Sequence, residues 1–166
     1  MAGVDRIAEK PHANASGYDE GEEVVAGARR TTQCDPRIGR PLAELDTPTL
    51  LLDRAASDRN LAKMAAFFRD RPAKLRPHFK NHKCVTLARR QLAAGAVGMT
   101  CAKLGEAEVL VEHGFPDVLI ANQVVGDAKL ARLARLASRA RIGVAVDHGD
   151  QAAAISKAAT AAGSVV

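Results

Sequence analysis

From Val97 to Gly163 the chain repeats one pattern: a short apolar run, then an amphipathic helical stretch, closed in two of the three cases by a glycine. Val97 to Cys101, Asp117 to Ala121 and Ile142 to Val146 are the apolar runs, and Leu104, Ala107, Leu110 and Val111 or Leu130, Leu133, Leu136 and Ala137 fall at the spacing of a single helical face. Gly114 and Gly163 stand where a left-handed residue ends a helix. No hairpin signal joins successive runs, so neighbouring strands must be connected through their helices. This requires right-handed crossovers and a parallel sheet.

The same unit is legible further upstream. Thr49 to Leu52 is a short apolar run, and Asp53 after it suits the cap of a helix with Leu61, Met64, Ala65 and Phe68 on one buried stripe. After Arg71 and Pro72, a second strand carries Lys74, Leu75 and Pro77 to Phe79 into a helix over roughly Cys84 to Ala94, stopped by Gly95. Helices follow over Gly126 to Ala140 and Gln151 to Ala162, and Ser164 to Val166 reads as the opening of a sixth strand. The expected fold is α/β with about five βα units, an incomplete (β/α)8 barrel, since 166 residues fall short of the ~250 typical of a closed one. Open edges of such a sheet call for neighbours, so a homo-oligomer or completion by another chain is expected.

Residues 1–41 read differently. Scattered glycines, the acidic run Asp19 to Glu23 and the pair Arg29 and Arg30 show no apolar period, which marks a flexible N-terminal extension ahead of a barrel portion over residues 42–166. The net charge is +5 with five aromatic residues, and Arg132, Arg135 and Arg139 alternate with leucines on one helix. That is a solvated face, and no nucleic-acid partner is expected. No run approaches the ~18 apolar residues of a membrane span, and the N-terminus has no secretory apolar core. Three cysteines without CxxC spacing, Cys34, Cys84 and Cys101, read as reduced thiols, and the expected location is cytoplasmic.

Chemistry concentrates at the end of the second strand, where Arg76 to Cys84 reads RPHFKNHKC. Strand ends are where α/β proteins place their reactive groups. A lysine that acts as a nucleophile needs a neutral amine, favoured by desolvation or nearby positive charge, and Lys80 has Arg76, His78, His82 and Lys83 within four residues. If the strand continues, His78 and Lys80 point to the same side. His82 lies at i+4 from His78, a metal-ligand spacing only on a helix, which Pro77 disfavours. Weaker candidates end the later strands: Thr100 and Lys103, Asn122 and Gln123, Asp147 and His148. Cys84 and Cys101 read as small core residues, and no glycine cluster of the phosphate-cradling kind is present.

The window resembles the Schiff-base motif Arg-Pro-His-x-Lys-x-His-Lys of the pyridoxal-phosphate (PLP) enzymes related to D-threonine aldolase and D-serine dehydratase, which share the barrel of alanine racemase. The resemblance extends from about Leu45 to the C-terminus through LDTPTLLLD, CAKLGEAEVL and ANQVVGDAKL. It implies that Lys80 holds PLP as a Schiff base and that the substrate is a small D-β-hydroxy amino acid. The implied reaction is D-threonine cleavage to glycine and acetaldehyde, because the flanking segments resemble the aldolase branch slightly better, with a D-serine dehydratase-like elimination as the alternative. His78 would either touch the cofactor or serve the fold. The resemblance also implies a divalent metal whose ligands, like the phosphate loop and a second β-rich domain, lie outside this chain; the 166 residues alone are then expected to be catalytically impaired. Gln123 stands where the family commonly has glutamate before Val-Val. A non-catalytic PLP-binding protein and an inactive gene remnant are the other readings.

Overall fold

The structure, a computed structural model, describes residue 37 and residues 39–166. Most of the extension expected over residues 1–41, and Cys34 with it, lies outside the described residues. The chain divides into two units with the boundary between Leu52 and Asp53.

In the described part of the first unit, a 3-10 turn covers Leu42–Glu44, closed by the Glu44 amide donating to Pro41 O at 3.0 Å. Asp46 accepts from the amide of Thr47 at 2.8 Å. Thr49 to Leu52 forms no strand, contrary to its apolar pattern, and Leu50, Leu51 and Leu52 are exposed. Apolar character alone does not make a strand: its N–H and C=O groups need a ladder partner, and none of the described residues pairs with these four.

The second unit begins with α1, Arg54–Phe68, whose N-cap Asp53 accepts the Ala56 amide at 2.8 Å, as the sequence indicated. Its apolar stripe is not buried as expected. Leu61, Ala65 and Phe68 are half-buried and Met64 is exposed, since among the described residues no β-strand precedes α1 to complete its βα unit. An Arg90–Asp58 ion pair ties it to α2, Val85–Ala93. Thereafter the order is β1 Met99–Cys101, α3 Leu104–Glu112, β2 Asp117–Ile120, α4 Asp127–Ala137, β3 Arg141–Val144 and α5 Gly149–Ala161.

The three strands form a parallel sheet in the order β1-β2-β3, the topology that the βα repeat requires. Its register places Met99, Val118 and Ile142 in one row and Cys101, Ile120 and Val144 in another. Apart from Val144, these side chains are buried against the helices with Leu104, Leu110, Phe115, Leu130, Leu133 and Ile155. The alternate row, Thr100, Leu119 and Gly143, lies on the opposite, partly open face, since successive residues of a strand point to opposite sides.

The second expected strand is reduced to one parallel bridge, His78 with Thr100. The physical cause is visible in the backbone. Leu75 O accepts from Val97 N at 3.0 Å and Pro77 O from Thr100 N at 2.8 Å, so two residues on one side span three on the other. One extra residue on the later strand is a bulge, and it falls at Gly98, a buried bend. The bulge delays β1 to Met99, two residues after its expected start. Pro77, without an N–H, can only accept. After His78 the chain turns into a 3-10 turn, Phe79–Asn81. Ser164 to Val166 forms no strand either.

Candidate active site at the carboxyl edge of the sheet

The lysine motif crosses from extended backbone to turn at His78, and its histidines serve as local caps. His78 Nδ1 accepts the Lys80 amide at 3.2 Å and His82 Nδ1 accepts the Cys84 amide at 3.1 Å, side-chain-to-backbone bonds that stabilise turns. Farther along, His148 Nδ1 accepts the Asp150 amide at 3.2 Å. A ring nitrogen that accepts must be unprotonated, so in the bond to Lys80 the His78 imidazole carries its proton on Nε2. His82 Nε2 faces Gln91 Oε1 at 3.2 Å, the geometry of a donor to an amide oxygen. His82 is thereby committed to the fold.

Lys80 is exposed, and its Nζ makes no hydrogen bond or ion pair among the described residues. Because the backbone leaves the strand before Lys80, the relation between His78 and Lys80 is not the same-side alternation of a continuous strand. His78 bends back to hold the Lys80 backbone, which leaves the Lys80 amine free. Burial, then the positive charge of Lys80, hold the His78 imidazole below its ordinary 6.5, with Glu106 opposing.

Glu106 is a residue that the sequence reading passed over. It sits in the first turn of α3, where Oε2 accepts the Ala102 amide at 2.8 Å and Oε1 stands 3.7 Å from Lys83 Nζ. Its side chain is 12% exposed against 62% for Lys83, so Lys83 reaches down to it from the motif. Lys83 takes a left-handed backbone, φ 47°, a conformation that costs a non-glycine residue about 1–2 kcal/mol. The available signal was an acid three residues into a helix, where such side chains bond back to the preceding backbone.

The other strand-end candidates lie along the same edge in connected pairs. Thr100 Oγ1 donates to Arg76 O at 3.4 Å, and Asn122 Nδ2 donates to Ala102 O at 3.2 Å, linking the loops after β2 and β1. Gln123 Nε2 donates to Asp147 Oδ2 at 3.0 Å. A glutamate at 123 would instead repel Asp147. The Gln151 amide, oriented by its surroundings, donates to Asp147 Oδ1 at 3.3 Å and accepts Val124 N at 3.2 Å. Lys103 begins α3 without a side-chain cap bond.

Cys101 is buried, and burial, with Glu106 adding to it, pushes its thiol up to about 12; it is an inert core residue. Cys84 is half-buried at the start of α2. Two surface hollows follow β3 and α5, lined by Gly143, Val144, Ile155 and Val166 among others, away from the lysine motif. Among the described residues no group of three or more His, Cys, Asp or Glu could hold a metal ion, and no helix is long and apolar enough to cross a membrane.

An α/β unit of parallel βα repeats, with the exposed Lys80 at the carboxyl edge of its sheet, defines the class. Residues 52–166 match the family described as alanine racemase, N-terminal domain, and the chain belongs to that family. It is 43% identical over 145 residues to the D-threonine aldolase of Arthrobacter sp., covering 87% of this chain and 38% of that enzyme. It is 36% identical to the 3-hydroxy-D-aspartate aldolase of Paracoccus denitrificans, covering 87% and 35%. Its structure matches the crystal structure of D-threonine aldolase from Filomicrobium marinum with a TM-score of 0.73 and 51% identity, covering 75% of this chain and 34% of that one. D-threo-3-hydroxyaspartate dehydratase from Delftia sp. HT23 matches at 0.65 and 34% identity, covering 73% and 32%; a variant of it is known in a metal-free form. The chain thus spans about a third of the length of these relatives.

Proposed function

We propose that this chain carries the cofactor-binding lysine of a PLP-dependent lyase that cleaves D-β-hydroxy amino acids, D-threonine foremost. The observation that supports it is the free Nζ of Lys80 at the carboxyl edge of the sheet, beside a neutral His78, in a chain 43% identical to a D-threonine aldolase. These residues fit PLP: an exposed amine can reach an aldehyde, and a neutral imidazole whose Nδ1 is committed to the backbone offers an Nε2–H donor beside it.

PLP, when bound, supplies an electron sink for the charge that develops at the substrate Cα. Lys80 would hold it covalently through Nζ. His78 would donate to it through Nε2–H while fixing the Lys80 backbone through Nδ1. The Glu106 bond to Ala102 and its pairing with Lys83 keep the loop after β1 and the end of the motif in one arrangement, which preserves the place of Lys80.

Retro-aldol cleavage is favoured over dehydration by the likeness to the Filomicrobium aldolase, 51% identity and a TM-score of 0.73 against 34% and 0.65 for the Delftia dehydratase. Product analysis with PLP and D-threonine separates the two. Glycine with acetaldehyde supports cleavage, whereas 2-oxobutanoate with ammonia supports dehydration. Neither product, together with a Lys80 that PLP does not modify, would sink both.

A further inference from the structure

The segment that delivers Lys80 is weakly held by backbone: one bridge, a proline that cannot donate, and a bulge opposite it. A side chain supplies what the ladder lacks. Arg76 Nη1 donates to Asp117 Oδ1 at 2.8 Å and Nη2 to Oδ2 at 3.0 Å, with Nη1 also 3.5 Å from Asp117 O. This is the two-pronged arginine–carboxylate geometry, the strong form of an ion pair.

Asp117 opens β2, so the guanidinium crosses over the intervening strand to reach it. The crossing point is Gly98. An added Cβ there would collide with Arg76 Nη1 and stand 2.6 Å from Asp117 O. The bulge glycine is therefore the gap through which Arg76 passes, and neither side chain of the pair is more than 23% exposed. Arg141, 3.4 Å from Asp117 Oδ2 and mostly exposed, adds a second cation from β3. Arg76 lies two residues before His78 and four before Lys80, on the same segment.

We propose that the Arg76–Asp117 pair, threaded over Gly98, is the positioning device that fixes the register of the lysine-bearing segment on the sheet. A slip of two residues would preserve the side-chain alternation while carrying Lys80 about 7 Å along the strand axis. The clamp forbids it, because the guanidinium has one gap to pass through. Arg76 touches neither Lys80 nor His78 in this role. The consequence for cofactor attachment rests on the PLP reading; the register itself does not.

The test compares Arg76→Met, Arg76→Lys and a core control, Leu133→Ala on α4, with the unaltered chain, each below its own Tm. Two quantities are read: the PLP concentration that half-saturates borohydride-fixed labelling of Lys80, and hydrogen exchange at the Val97 and Thr100 amides, which donate to Leu75 and Pro77. Loss of a charge-assisted pair is expected to raise half-saturation at least about tenfold in Arg76→Met, with partial recovery in Arg76→Lys and none of the effect in Leu133→Ala. Exchange at Val97 and Thr100 should quicken relative to Val118 and Leu119. Wild-type half-saturation, or wild-type exchange at those two amides, in Arg76→Met overturns the proposal. If the unaltered chain takes no PLP at Lys80, the functional reading falls and exchange alone decides the clamp. Should Arg76→Met fail to fold, Asp117→Asn carries the same comparison.

Discussion

His78 holds Lys80 by its backbone and not by its side chain: Nδ1 accepts the Lys80 amide at 3.2 Å. Protonating that nitrogen removes the acceptor and sets a second positive charge near Lys80. The folded-state pKa lies below 6.5, so between that lower value and 6.5 the folded chain binds fewer protons than the unfolded one. Its contribution to stability is present above 6.5 and is lost as pH falls through the folded value. Chemical denaturation across pH 4 to 8 should show this loss in the parent chain and a reduced loss in His78→Asn, whose side-chain oxygen can still accept the amide without titrating. An identical pH dependence in both would place the sensitivity elsewhere.

Glu106 separates two roles by substitution. Glu106→Gln keeps an acceptor for the Ala102 amide and gives up the charge facing Lys83, whose own side chain is mostly exposed, so it should cost no more than about 1 kcal/mol. Glu106→Ala strips the acceptor from a part-buried amide and should cost about 1–3 kcal/mol. Equal losses in urea unfolding would mean that the charge matters and the cap does not.

Gly98→Ala inserts a methyl where Arg76 crosses. Because one of the atoms met is the backbone oxygen of Asp117, the strand must move, and a loss of about 1–3 kcal/mol is expected from overpacking. Gly143→Ala on the open face meets only Leu119 Cδ1, at 3.2 Å, and should be tolerated better. The reverse order would contradict the threaded arrangement.

The parallel βα plan was legible because it is written in periodicity. Leu104, Leu110, Val111, Leu130, Leu133 and Leu136 are buried as their spacing indicated, and Asp53 caps α1 as expected. Gly95, Gly114 and Gly163 all take positive φ at helix ends. Pairing was not legible. Thr49 to Leu52 and Ser164 to Val166 have the residues of strands, but a strand exists only with a partner, and partners are distant in sequence. The turn after His78 was hidden too, since an imidazole that caps its own chain looks the same on paper as one that faces a ligand. Arg76 counted only as positive charge near Lys80; its partner Asp117 lies 41 residues away, and no local pattern links them. Glu106 was legible in principle from its place in the first helical turn.

The central claim is that Lys80 is the residue that takes PLP, and the direct measurement is an absorbance titration of the purified chain with PLP, followed by borohydride reduction and mapping of the modified peptide, beside Lys80→Ala. Lys80 is exposed and its amine makes no hydrogen bond or ion pair among the described residues, so the variant should match the parent in stability to within about 0.5 kcal/mol, and a difference in PLP uptake will report on the site alone. The expected result is a saturable visible band, fixed by reduction onto Lys80 and lost in the variant. A band that persists in Lys80→Ala, or label spread over other surface lysines such as Lys63, Lys74 and Lys129, would contradict the assignment.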